Sequence, residues 1–393
     1  MKKLFFIAAV AGAALASCAE NDPAPQTLEQ QVITLSPVVA SSSRAQSEMG
    51  VEYNQTTPFK VWALYYDDVN DGGEYTEYAD GQAFMNFITA SYETATNSYV
   101  PKDASGNNFY WPKNGSLTFM AVSPADAVTE STVAFTANGL KFTGYTVPND
   151  GSQYDLLISE RAYNKTTSTD GTPYFGGVDM EFKHALSSVV FKAKLDKTYL
   201  GTTIRLKGIT INDIGSKANF SQNLDDEPGI VTNCPNRKDE TNKILEANEG
   251  NNDVIDEKLP TVSSTPAAWT APTNEIDYTV AGIPAAGKVL STTAYWPATG
   301  AETEPTWSAT NIRNTDFMLL PQTVAGKTIT INYSIQHGTG VELDQTFDYT
   351  ITPASEWEMG YRYIYTIEFG FDPILLAPSV QVWENSSVLG VEP

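Results

Sequence analysis

The sequence predicts an all-β protein of two sandwich-like halves, on three observations. Tyr, Phe and Trp make up 11% of the chain and all charged residues only 18%, a balance suited to half-buried pleated surfaces rather than exposed helices. Apolar residues recur with period two in several separate runs, as strands with one buried face require. Turn residues interrupt these runs about every ten positions, and nothing offers the repeated crossover helices of a parallel α/β fold. With 393 residues, 41% of them hydrophobic, the chain has material for about two cores.

The N-terminal stretch reads as export machinery. Lys2 and Lys3 form a positive start, Leu4 to Leu15 is apolar but too short to span a bilayer, and residues 1–17 are expected to be a signal peptide. The run closes on Leu15-Ala16-Ser17-Cys18, which resembles a bacterial lipobox, so Cys18 is the expected lipid attachment site. Each buried CH₂ of an acyl chain contributes about 0.8 kcal/mol, enough for several chains to anchor the protein firmly. The other cysteine, Cys234, lies in an Asn- and Asp-rich stretch and is left without a disulfide partner.

Residues 18–44 read as a lipidated tether followed by a candidate propeptide strand. Positions 19–30 are polar and contain proline, as a flexible spacer should. Val32 to Val39 is strand-like with Pro37 inside, and Ser41-Ser42-Ser43-Arg44-Ala45 is the small, extended segment a trypsin-like protease accepts. Arg44, followed by Ala45, is therefore either a protease site or an ordinary linker arginine.

Beyond it, residues 45–177 form the expected N-terminal sandwich and 178–393 the C-terminal one, divided at the turn Gly176-Gly177. The clearest strands are Phe191, Ala193 and Leu195 alternating with lysines, the run Thr328 to Tyr333, and Tyr361, Tyr363, Tyr365, Ile367 and Phe369. Residues 81–90 suggest a short helix. An acidic, Asn-rich stretch near 213–275 lacks strand periodicity and reads as a loop insertion. Tyr110-Trp111-Pro112 recurs as Tyr295-Trp296-Pro297, either as an echo between two related halves or by chance.

Charge and motif content exclude several functions. A net charge of −23 and a pI near 4.4 repel nucleic acid and anionic lipid surfaces. His184 and His337 are the only histidines, no cluster has metal-ligand spacing, and no acid, base and nucleophile stand together, so no enzyme, cofactor or metal is expected. Asp67 to Gly73 misses the calcium-loop register because Val69 holds a ligand position. Two function classes remain, a structural or adhesive surface subunit and a surface lipoprotein stacking host or bacterial glycans on Trp269, Trp296 and Trp307.

The lipobox, Ser43-Arg44-Ala45, and the segments 109–124 (FYWPKNGSLTFMAVSP), 154–159 (YDLLIS), 182–195 (FKHALSSVVFKAKL), 317–333 (FMLLPQTVAGKTITINY) and 357–369 (WEMGYRYIYTIEF), taken in order, resemble the fimbrillin-like lipoproteins, subunits of type V bacterial pili. The resemblance implies two tandem transthyretin-like Greek-key β-sandwich domains. It also implies a lipidated outer-membrane precursor displayed on the cell surface, from which an arginine-specific protease removes an N-terminal strand after Arg44. Another fimbrial subunit would then complete the vacated groove by β-strand complementation. The tail after Trp383 is short for a donor strand, so shaft, tip, anchor and non-polymerising roles all fit.

Overall fold

The computed structural model describes residues 31–39, 51–53, 55–66, 82–112, 116–136, 139–165, 177–222, 268–297, 299–303, 317–352, 355–370 and 374–382. Among these, apart from two single-turn 3-10 segments, every regular element is a strand, as the composition requires.

The first half contains β1 (Leu35–Val39), β2 (Val51–Glu52), β3 (Phe59–Tyr66), β4 (Gln82–Glu93), β5 (Ser98–Lys102), β6 (Ser116–Ser123), β7 (Val133–Thr136), β8 (Gly139–Thr146), β9 (Leu157–Ser159), β10 (Ala162–Lys165) and β11 (Val178–His184). Seven of them run in the order β6-β3-β4-β5-β1-β11-β9, and β9 returns to β6 through Val122 opposite Ile158 and Ser123 opposite Leu157. The sheet therefore closes on itself. Closure matters because a free edge is a template for unwanted pairing.

Consecutive residues of β3 and β6 serve two cores. Val61, Ala63, Phe119 and Ala121 pack inside the ring with residues from β1, β5 and β11, while Trp62, Met120 and Val122 join a larger core shared with the second half. Period-two alternation is what lets one strand face both.

The second half contains β12 (Ser187–Leu195), β13 (Thr202–Ser221), β14 (Ala268–Trp269), β15 (Thr273–Thr279), β16 (Lys288–Val289), β17 (Phe317–Leu319), β18 (Gln322–Thr323), β19 (Thr328–His337), β20 (Leu343–Thr350), β21 (Glu356–Trp357), β22 (Tyr361–Phe369) and β23 (Leu375–Val382). The sheet β17-β12-β22-β23 packs on a sheet organised around β13, which carries β19 and β20 and also recruits β7 and β8 from the first half. Phe191 stacks on Tyr365 with centroids 5.4 Å apart, and Tyr333 meets Phe369 edge-on at 5.3 Å. The alternating runs read from the sequence are thus β12, β19 and β22.

Three sequence expectations change. Residues 81–90 fall largely in β4 rather than a helix, because Phe87 has φ +55° and the β3–β4 register shifts nearby. Such a bulge breaks period two and makes apolar spacing look helical. The loop expected near 213–275 begins too early and ends too late: β13 runs to Ser221 and β14 and β15 start at Ala268 and Thr273. Asp213, at φ +59°, is again a bulge, after which the buried positions of β13 move from Ile209 and Ile211 to Ile214, Ser216, Ala218 and Phe220.

The sheets also do not part at residue 177. β11 is hydrogen-bonded into the first ring, between β1 and β9. Gly177 is there for a close approach: a Cβ on it would sit 2.9 Å from the Leu35 carbonyl carbon, and its φ is +94°.

Burial of the tyrosines has a pH consequence. Desolvation pushes Tyr365 up to about 12 and Tyr53 higher still, although hydrogen bonds from Trp357 and with Ser123 oppose the shift. A tyrosine whose folded pKa lies above its unfolded value near 10 gives its full stability below pH 10 and loses it as pH rises towards the folded pKa. Each such residue should remove about 1.4 kcal/mol per pH unit once the unfolded phenol ionises. Denaturant midpoints should therefore fall steeply between pH 10 and 12; a flat profile over that window would contradict the burial.

Candidate functional site

β1 occupies a slot inside the first ring. It runs parallel to β11, from Leu35 opposite Val178 to Val39 opposite Phe182, and meets β5 and β2 on its other side. Just before it, Ile33 N donates to Phe109 O at 2.9 Å and Trp111 N to Gln31 O at 3.0 Å. The interior-facing side chains Ile33 and Leu35 are fully buried and Val39 nearly so. Beneath them lies an aromatic floor, where Tyr53 stacks on Phe182 at 5.4 Å and Phe59 meets Tyr99 at 5.0 Å. Burying each aliphatic side chain contributes roughly 1.5–3 kcal/mol. A chain that loses β1 exposes this floor and the unpaired N–H and C=O groups of β11.

β23 is the opposite case. Among the described residues it is an edge strand, paired only with β22, antiparallel from Tyr361 opposite Val382 to Glu368 opposite Leu375. Its Pro378 is tolerated because an edge has a side that needs no donor. Val380 is 57% exposed and Leu375 64% exposed, although both are apolar.

The two strands carry one pattern. Ile33-Thr34-Leu35-Ser36-Pro37-Val38-Val39 and Ile374-Leu375-Leu376-Ala377-Pro378-Ser379-Val380 agree at every alternate position, Ile, Leu, Pro and Val. In β1 these positions face the ring interior. In β23 Leu376 is buried but Val380 is not. A search for short internal repeats would have found the pattern; its period-two spacing gives it meaning only once a strand is assumed.

The Tyr-Trp-Pro echo belongs to the same frame. Tyr110 bridges Val32, and Tyr295 bridges Ala193, both antiparallel. The leading strand of each half also runs parallel to a late strand, β1 with β11 and β12 with β22. β12 holds in the second half the place β1 holds in the first. It is joined to β11 through Ala185-Leu186 alone.

Other sequence-derived candidates fall out as follows. Cys18, Arg44, Ala45, Asp67 to Gly73, Trp307 and Cys234 lie outside the described residues. Trp296 is 2% exposed, packed with Val190 and Ile364. Trp269 donates its indole N–H to Ala185 O at 2.7 Å and packs against Phe220, with ring centroids 5.0 Å apart. Burial removes Trp296 as a glycan platform, and Trp269 is half-buried among Phe142, Tyr145 and Phe220. His184 is buried and bonded through Nδ1 to Asp155 Oδ1 at 2.8 Å, and His337 Nδ1 meets Thr202 Oγ1 at 2.9 Å. Among the described residues no group of three or more His, Cys, Asp or Glu is placed to hold a metal ion, and no helix is long and apolar enough to cross a membrane.

Comparison with known proteins adds the lineage. The profile of a family described as fimbrillin-like matches residues 44–383. A fimbrial protein of Bacteroides vulgatus superposes with a TM-score of 0.48 at 15% identity, covering 90% of this chain and 99% of that one. A cell adhesion protein of Bacteroides ovatus gives 0.46 at 14% identity over 90% and 98%. The tip fimbrial protein Mfa3 of Porphyromonas gingivalis gives 0.34 at 9% over 84% and 97%. One curated protein, glucosyltransferase-I of Streptococcus downei, is 31% identical over 110 residues, which is 27% of this chain and only 6% of that enzyme.

Proposed function

Because the chain belongs to the fimbrillin-like family, we propose that it is a surface fimbrial subunit held unassembled by its own β1 and assembled by exchanging that strand for β23 of another copy. The shared Ile-x-Leu-x-Pro-x-Val pattern carries this reading. In place of β1, β23 would present the same four residues to the same floor, and Val380 would pass from 57% exposed to the place where Val39 is 3% exposed. That burial drives exchange, and β-augmentation supplies the backbone bonds. The short tail after Trp383 is then no obstacle, since the donor precedes it.

The rest of the pathway follows the same logic. Residues 1–17 direct export, lipid on Cys18 holds the precursor at the outer membrane, and cleavage between Arg44 and Ala45 frees residues 18–44 with β1. The two units are transthyretin-like sandwiches in tandem, the first extending through β11, and neither performs catalysis.

Limited trypsin digestion tests the core of this. Cutting first after Arg44 should convert a monomer into higher-order species by light scattering, while Arg44→Ala remains monomeric. A trimmed chain that stays a soluble monomer with unchanged melting would leave strand exchange unsupported. Labelled palmitate should enter the wild-type precursor in cells but not Cys18→Ser.

A further inference from the structure

We infer that the far pole of the second half is a docking surface for the first ring of the next copy, with Leu200, Val341 and Leu343 covering that copy's Tyr110. This rests on the strand exchange proposed above and adds the rigid contact that must accompany it.

The pole is defined by pairings. Leu195 lies opposite Phe369, Asp196 N donates to Phe369 O at 3.0 Å, Thr202 lies opposite His337, and Gly338 N donates to Gly201 O at 2.7 Å. The turn after β12, the β19–β20 hairpin and the end of β22 therefore meet at one end of the molecule. Leu200 is 97% exposed there, Val341 81% and Leu343 56%. Three large aliphatic side chains on neighbouring turns of a strongly acidic chain are an unusual exposure for a protein that stays alone.

The occupant follows from chain length. Only residues 370–373 lie between β22 and the segment that would fill the slot, and the five residue steps from Phe369 to Ile374 reach at most about 17 Å. With Ile374 in the place of Ile33, the connector emerges beside the bridge between Val32 and Tyr110. The pole of the donor must then lie against that end of the acceptor ring, where Tyr110 is 41% exposed. Charge permits the approach: Lys207 Nζ lies 2.8 Å and Arg205 Nε 3.6 Å from the Glu342 carboxylate, so the acidic group next to Val341 is locally neutralised.

The test uses the full chain trimmed after Arg44. Replacing all three residues, Leu200→Ser, Val341→Ser and Leu343→Ser, should leave monomer melting unchanged and slow assembly at least tenfold. A synthetic peptide of residues 374–382 should still bind the trimmed variant as it binds wild type. In a Cys234→Ser background, Leu200→Cys in one preparation and Tyr110→Cys in another should cross-link with a short bismaleimide only after both are trimmed and mixed. Wild-type assembly rates in the triple variant, or assembly without that cross-link while the peptide still binds, would overturn the docking surface and leave strand exchange standing. Wild-type trimmed chain that neither assembles nor binds the peptide would overturn both.

Discussion

Val380→Asp should weaken assembly of the trimmed chain about a hundredfold while leaving the monomer as stable as before. In its own sheet Val380 is 57% exposed on an edge strand, where a substitution moves stability by no more than about 0.5 kcal/mol. In the slot it takes the position of Val39, directly opposite Phe182 and 3% exposed. A carboxylate there has no partner, and a penalty of about 3 kcal/mol corresponds to roughly a hundredfold loss in association. Ser379→Asp is the control, since its counterpart Val38 faces away from the interior and is only half-buried. Analytical ultracentrifugation of both trimmed variants decides it: equal assembly would mean that β23 does not occupy the slot in the register of β1.

Leu35→Asp should act on the other side of the proposed exchange and release the precursor without any cut. Leu35 is fully buried, and its backbone passes so close to Gly177 that a Cβ there would sit 2.9 Å from the Leu35 carbonyl carbon, so the charge can neither be solvated nor shift aside. β1 should leave the slot at a cost above about 3 kcal/mol to the precursor. Combined with Arg44→Ala, the variant should assemble although it cannot be processed there. Because loss of β1 could simply unfold the ring, melting is measured with and without a peptide of residues 374–382, which should restore the midpoint. A variant that remains monomeric with wild-type melting would show that β1 does not hold the slot closed.

Much of the site was legible before the structure, and the gaps have physical causes. The strand at Val32 to Val39 and the alternation of Phe191, Ala193 and Leu195 in β12 and of Ile329 and Ile331 in β19 can be read directly, because those stretches bury every second side chain, whereas β22 is buried on both faces from Arg362 to Tyr365. β4 and the middle of β13 cannot, because bulges at Phe87 and Asp213 change the parity of the buried face within a single strand. Gly177 reads as a linker although it serves a backbone contact with β1, and a one-dimensional string does not distinguish a glycine needed for a turn from one needed for a neighbour. The tryptophans invite a ligand reading because aromatic rings cover cores and bind sugars with equal readiness; burial of Trp296 comes from contacts distant in sequence.

By itself the sequence determined the predominantly strand character and the family pattern, and it carries, unread until the strands are known, the shared Ile-x-Leu-x-Pro-x-Val spacing of β1 and β23. Tertiary structure alone decided that the first of these strands lies enclosed between β5 and β11 while the second lies on an edge with Val380 in solvent. The reason is that period-two patterning specifies which face of a strand is buried, not which strand stands beside it. Neighbours are chosen by the closure of the ring and by non-local pairing, and those depend on the whole chain at once.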